Sequence, residues 1–263
     1  MRYSLMSGAG NLFVVLDGFR EQVTADRAGL ARTMCAGGEV EPRPDGLIVV
    51  RPSTRGADCA MEIYNADGSR PETCGNGLRC AAKLARDHGH VDSDVFTVET
   101  DAGIRRVRVE RRDARVVSAQ VGMGRARVEA TDEEIVLASD SVRATTVDVG
   151  NPHCVLLVED EREAPVETWG PELARHVRFP AGTNVEFLAP RSGALHLRVW
   201  ERGVGETRAC GSGACAAAVV AESRGLARWP VLLELPGGTL EVDREPDGEL
   251  LLRGPVEELF SRA

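Results

Sequence analysis

Aromatic residues are scarce in this chain of 263 residues, at 4%, and no apolar run is long enough to span a bilayer. Its 43% hydrophobic content is mostly aliphatic, enough for a globular core or two. A basic excess is also missing. The 32 lysines and arginines face 41 acids, for a net charge of −9, which excludes the positive surface that nucleic acid requires. The arginines are interleaved with acids, as in Glu110-Arg111-Arg112-Asp113, and read as solvated surface. Met1-Arg2-Tyr3-Ser4 is not followed by an apolar segment, so a secretory signal is not expected and the protein reads as cytoplasmic, with no membrane partner. The cysteines lack the C-x2-C spacing of zinc ribbons, since Cys74/Cys80 and Cys210/Cys215 leave five and four residues between them. No histidine pair matches them. An odd total of seven also argues against a disulfide framework, so neither metal nor cross-link is assigned.

What the chain does have is internal similarity. Gly10-Asn11-Leu12-Phe13-Val14-Val15-Leu16 resembles Gly150-Asn151-Pro152-His153-Cys154-Val155-Leu156. The segment 45–52 is shadowed by 183–190, Cys74-Gly75-Asn76-Gly77 returns as Cys210-Gly211-Ser212-Gly213, and 98–103 returns as 233–238. The four pairs occur in the same order at a nearly constant offset, which implies two copies of one fold divided near Asp113.

Alternating and β-branched segments predict strands at 47–51, 61–64, 96–100 and 104–109, and again at 145–149, 154–158, 195–200 and 231–235. Alanine-rich stretches after Cys74 and Cys210 predict helices over about 75–87 and 211–224, closed by Gly89 and Gly225. Shorter helices are expected over 26–34, with Asp26 as N-cap, and over 171–177. The expected architecture is α+β: two pseudo-repeated, strand-rich domains, each wrapped around a central helix, with the site in the cleft between them. Their bounds are set at 1–114, with 254–263 returning to it, and 115–253.

A helix N-terminus offers unpaired N–H groups and a partial positive charge. A thiol there is expected to have a lowered pKa, and flanking glycines let a carboxylate approach the backbone. Two such thiols on opposite faces of an α-carbon supply the acid and the base that inversion needs. Donors around the carboxylate stabilise the charge that develops. The bland reading, small buried hydrophobes, suits Cys35, Cys59, Cys80, Cys154 and Cys215. A phosphatase loop would need five residues between Cys74 and Arg79, and there are four. Gly211-Ser212-Gly213-Ala214-Cys215-Ala216 fits a dinucleotide pattern on its face, but no acidic residue at the end of a second parallel strand supports it. A thiol redox sensor is the non-enzyme alternative.

At these residues the sequence resembles the diaminopimelate epimerase family nearly end to end. The resemblance is carried by Gly8-Ala9-Gly10-Asn11, Tyr64-Asn65-Ala66-Asp67-Gly68-Ser69, Cys74 to Cys80, Gly150 to Cys154, and Glu201 to Cys215. It implies conversion of L,L-diaminopimelate to the meso form, in lysine and peptidoglycan precursor synthesis, without cofactor or metal, by a homodimer. Cys74 and Cys210 match the family's acid–base pair, and Gly75, Asn76, Gly211 and Ser212 its carboxylate cradle. His153 and Glu201 match polar groups beside the thiols. Asn65, Asn151, Asn184 and Arg202, with Asn11 nearby, match the set gripping the distal amino-acid centre of this small-molecule substrate. A related racemase acting on another amino acid, such as histidine, would use the same thiols. Ser7 and Leu12 stand where the family commonly has histidine and aspartate, and the segment 36–44 looks longer than usual.

Overall fold

The computed structural model describes residues 1–37, 40–71 and 74–262. Gly38 and Glu39 of the segment 36–44, and Ala263 of the returning tail, lie outside the described residues. The chain divides into two compact units, Met1–Gly122 with Arg253–Ala263, and Met123–Leu252.

The first unit opens with the hairpin β1 (Tyr3–Gly8) and β2 (Asn11–Asp17). Ala9 and Gly10 both have positive φ, the turn geometry that suits a two-residue hairpin. Helix α1 (Arg27–Cys35) is N-capped by Asp26, whose side chain accepts the Gly29 N–H at 2.8 Å. β3 (Gly46–Arg51) runs parallel to β2, and β4 (Cys59–Asn65) returns antiparallel to β3. Both neighbours of this parallel pairing are continuous apolar runs, Phe13-Val14-Val15-Leu16 and Leu47-Ile48-Val49-Val50, buried throughout, as parallel strands usually are. After α2 (Gly75–Asp87) come β5 (Val95–Thr100), parallel to β4, then β6 (Gly103–Arg112) and β7 (Arg115–Arg125), each antiparallel to its predecessor. The last strand of the chain, Glu257–Arg262, pairs with β1. α2 packs against β1, β2, β3, β4 and β6, and every residue from Gly75 to Ala85 is buried.

The second unit repeats these pairings. β8 (Arg127–Val136) and β9 (Ser141–Asp148) lead to β10 (Pro152–Leu157), which is antiparallel to β9. α3 (Val166–Ala174) precedes β11 (Asn184–Arg191), parallel to β10, and β12 (Ala194–Glu201) is antiparallel to β11. The short β13 (Gly205–Thr207) pairs with β12. After α4 (Gly211–Ser223), β14 (Val231–Leu235) is parallel to β12, and β15 (Gly238–Arg244) is antiparallel to β14. β16 (Glu249–Pro255) and β17, the Glu257–Arg262 strand, complete the chain. α4 packs against β9, β10, β11, β12, β14 and β15. Its run of Gly, Ser, Ala and Cys lets strands approach on all sides, and a helix apolar all round belongs inside a core.

The central helices close alike. Gly89 and Gly225 take positive φ. His90 N–H reaches Ala85 O at 2.9 Å, and Leu226 N–H reaches Ala221 O at 2.8 Å, the long bond of a Schellman motif.

Two sequence-based placements differ. The spacing puts a helix at 171–177, starting on Pro171, yet α3 runs Val166–Ala174 with Pro171 inside it. Val166, Gly170, Leu173 and Ala174 share one buried face, and packing of that face fixes the start rather than the proline. The division expected at 114/115 falls after Gly122. Asp113 and Ala114, both at positive φ, form the hairpin turn that returns β7 onto β6 and keeps it with the first unit.

Candidate active site

In the first unit, Cys74 is the N-cap of α2, with extended backbone (φ −141°, ψ 92°), and its Sγ accepts the Gly77 N–H at 3.3 Å. Serine or aspartate oxygen usually fills that role; here sulfur does. Gly77 has no space for a side chain, because a Cβ would stand 2.8 Å from Ile63 and 3.1 Å from the Cys74 sulfur. A Cβ on Gly8, at the end of β1, would lie 2.6 Å from the Asn76 carbonyl oxygen. Two backbones thus converge at the first turn of α2. The Asn76 amide donates to Asn11 Oδ1 and accepts from the fully buried Arg79 at 2.8 Å. Asn11 in turn donates to Asp45 Oδ2 at 3.3 Å, an oxygen that also accepts the Leu12 N–H at 2.8 Å. Ser7 Oγ accepts the Gly10 N–H at 3.2 Å and so serves the β1–β2 turn.

Asn65 is engaged locally. Its Nδ2 donates to Ser69 Oγ at 2.9 Å, its carbonyl accepts the Gly68 N–H at 2.9 Å, and Gly68 has φ +85°. It builds the 65–69 turn.

The second unit reproduces the motif. Cys210 is the N-cap of α4 (φ −122°, ψ 117°), and its Sγ accepts the Gly213 N–H at 3.4 Å. From it runs a polar chain. Ser212 Oγ lies 3.6 Å from the sulfur, and Asn151 Nδ2 donates to that hydroxyl at 3.4 Å. Asn151 Oδ1 is 3.0 Å from His153 Nε2, and His153 Nδ1 is 2.7 Å from Glu186 Oε1. His153 and Glu186 are both buried. Glu201 accepts from Thr207 Oγ1 at 2.6 Å and also meets the Cys210 thiol.

Asn184 and Arg202 also meet, though through the backbone. Asn184 Oδ1 accepts the Arg202 N–H at 3.0 Å, and its Nδ2 donates to Pro152 O at 3.0 Å. The Arg202 guanidinium reaches Ala181 O at 2.9 Å. Gly182 (φ +74°) leaves the arginine its path, since a Cβ there would be 2.8 Å from Arg202 Cδ.

Glu186 is the residue the sequence reading missed. Its Oε1 would be 2.8 Å from a Cβ on Gly213, and its Oε2 has no hydrogen-bond partner among the described residues. The available signal was an acid inside the apolar run Val185-Glu186-Phe187-Leu188-Ala189, since carboxylates are seldom fully buried without a task.

Glu186 also explains a correction. Both thiols are expected to have lowered pKa values at helix N-termini, yet Cys210 is pushed well above the ordinary thiol range. Burial is the largest cause, followed by the charges of Glu201 and Glu186, against which the Ser212 and Gly213 hydrogen bonds are too weak. Burial, reinforced by the Glu186 charge, raises the Glu201 carboxyl too. Two carboxyls and a thiol in one dry pocket disfavour a further negative charge.

The remaining cysteines are buried among apolar side chains. Burial raises Cys35 to about 11, and Cys59 and Cys80 to about 12. An unfolded chain releases these protons from about pH 9, whereas the folded chain keeps them until the higher values. Raised folded-state pKa values therefore favour unfolding as pH rises. The melting temperature should fall between pH 8 and pH 11 (roughly the window these shifts define), and scanning calorimetry in that range checks it. A flat profile would show that these thiols ionise in the folded protein.

A family profile described as diaminopimelate epimerase matches residues 3–129 and 145–259. The diaminopimelate epimerase of Desulforudis audaxviator is 40% identical over 99% of this chain and 98% of its own length. That of Moorella thermoacetica is 41% identical, with the same coverage of both chains. Among solved structures, a hydroxyproline epimerase from Agrobacterium vitis superposes with a TM-score of 0.75 at 18% identity, covering 100% of this chain and 90% of the other. A PhzF-family phenazine biosynthesis protein from Bacillus anthracis gives 0.76 at 12% identity, covering 100% and 98%. At those identities the structural likeness speaks for the fold alone.

Proposed function

The chain belongs to the diaminopimelate epimerase family, and on that premise we propose how its residues invert the α-carbon of diaminopimelate. In this proposal the reacting carboxylate would accept from first-turn N–H groups at Gly75 and Asn76 of α2 and at Gly211 and Ser212 of α4, the cradle that the family resemblance implies. One thiolate takes the α-proton, negative charge spreads onto the carboxylate, and those donors stabilise it. The thiol on the opposite face delivers a proton, and the pair trades roles in reverse. The upward push on the Cys210 thiol favours its protonated form, the form in which it would deliver a proton.

The observation that carries this reading is the duplicated sulfur cap. In each unit a cysteine sulfur accepts the amide three residues on, at 3.3 Å and 3.4 Å, which keeps it at the end of the helix where an anion binds. Asn151, His153 and Glu201 regulate the protons around Cys210. Asn184 and Arg202 would serve the distal centre, where an arginine suits a second carboxylate, and Asn11 and Asn65 are assigned to it by the family resemblance alone. The reaction draws on the thiols alone, without pyridoxal phosphate. The lysine and peptidoglycan precursor route, a cytoplasmic location and a homodimer follow from the same reading, and sedimentation of the purified protein tests the last.

Proton NMR of L,L-diaminopimelate in deuterated buffer with the enzyme should show the meso isomer appearing with deuterium at an α-carbon. Absence of exchange would reject this substrate, and exchange of histidine instead would move the assignment to a related racemase.

A further inference from the structure

A second cluster of chemically competent side chains lies in the first unit. α2 ends in the Schellman motif already described, with His88 as C-cap, Gly89 at φ +73° and His90 bonded back to Ala85. That turn sends two imidazoles toward one point. There Asp17, the last residue of β2, offers a carboxylate: its Oδ2 is 2.7 Å from His88 Nδ1 and 2.8 Å from His90 Nε2. The three candidate ligand atoms all lie within 4.8 Å of one another.

We propose that Asp17, His88 and His90 form a binding site for a divalent first-row transition metal, with zinc the best fit. Two imidazoles and one carboxylate are a common three-ligand set for such ions, leaving a fourth position to water. At metal–ligand distances of about 2.0–2.1 Å, tetrahedral ligand atoms stand roughly 3.3 Å apart, so the present contacts need to open by only about half an ångström.

The surroundings hold the ligands in place, as outer contacts do at metal sites. The Phe19 N–H binds Asp17 Oδ1 at 3.1 Å, which leaves Oδ2 to face the histidines. The His90 ring stacks on Phe19, with centroids 4.1 Å apart and planes 8° from parallel. Asp17 and His88 border a cavity of about 260 Å³, which leaves room for the fourth ligand. The opposing charges are Arg20, whose Nε lies 3.5 Å from Asp17 Oδ2, and Arg2 and Arg115, which border the same cavity. The Arg20 side chain is 51% exposed and donates to His88 O at 2.9 Å, a surface contact that can be exchanged for water. With metal bound, each neutral ring carries its proton on the other nitrogen. The ion ties the end of β2 to the far end of the helix that Cys74 caps.

The sequence reading considered zinc only through cysteine spacing. The carboxylate comes from a residue 71 positions before His88, so only the fold reveals the trio.

Cobalt(II) titration of the full-length protein tests the site. One equivalent per chain should bind, with visible d–d absorption and without the intense near-ultraviolet sulfur-to-cobalt band. Zinc should displace it. His90→Ala and Asp17→Asn should each weaken binding at least tenfold, whereas Cys74→Ser/Cys210→Ser should leave the affinity unchanged. No cobalt bound by the unmodified protein, a sulfur charge-transfer band, or unaltered affinity in both the Asp17 and His90 variants would overturn the proposal.

Discussion

Cys210→Ala, and equally Cys74→Ala, should lower kcat for epimerisation by on the order of 10³-fold, the scale on which a positioned acid or base contributes. Either change leaves one face of the α-carbon without a proton carrier, so inversion stops even if the substrate still binds. Each also removes a helix cap, and losing a cap costs about 1 kcal/mol. Serine separates the two effects. Its hydroxyl can still accept the Gly77 or Gly213 N–H, but it is far too weak an acid to form the needed base. Cys74→Ser and Cys210→Ser should therefore melt close to the unmodified protein and be nearly inactive. Steady-state kinetics beside thermal melts of all four variants give the answer. Activity within tenfold of normal in either serine variant would sink the two-thiol mechanism.

Glu186→Ala should reduce folding stability by about 2 kcal/mol, because removing one partner of a buried hydrogen bond leaves the other unsatisfied. His153 would lose the 2.7 Å contact that fixes its ring, and the chain through Asn151 and Ser212 to Cys210 would lose its anchor. Glu186→Gln keeps an acceptor for His153 while deleting the charge, so it should cost much less stability. Its signature lies elsewhere. The Glu186 charge is one of the causes that raise Cys210, so the glutamine variant should let Cys210 react with iodoacetamide at lower pH than normal. Urea unfolding and pH-dependent alkylation, read by mass spectrometry at Cys210, test both parts. Equal stability in the alanine variant, or an unshifted alkylation profile in the glutamine variant, would deny Glu186 this role.

The central helices were legible because their signals are local. Cys-Gly-Asn-Gly before an alanine-rich run, with Gly89 beyond it, contains start, interior and stop within one short segment, and α2 runs Gly75–Asp87 as expected. The five buried cysteines were legible for the same reason. Glu186 was not, because its meaning depends on a register that only the fold supplies. β10 lies parallel to β11 with His153 opposite Asn184. Glu186 is two residues further on, hence on the same face as Asn184, and no spacing rule links 153 to 186. The raised pKa of Cys210 was hidden similarly. A helix N-terminus is visible in sequence, whereas two carboxyls folded against it are not. Several strands escaped, β1, β2, β7, β8, β11 and β17 among them; β8 did so because its residues are largely exposed and polar, without the alternation that marks a half-buried strand.

The sulfur caps make two backbone amides into gauges of the reaction. A thiolate accepts a hydrogen bond more strongly than a thiol does, so on the proposed mechanism the Gly77 and Gly213 N–H bonds would tighten and slacken as protons pass to and from Cys74 and Cys210. Because one sulfur would gain a proton while the other gives one up, the two amides would respond in opposite senses. Their ¹⁵N–¹H signals offer a readout of which sulfur carries the charge at each stage, without any label placed on the substrate.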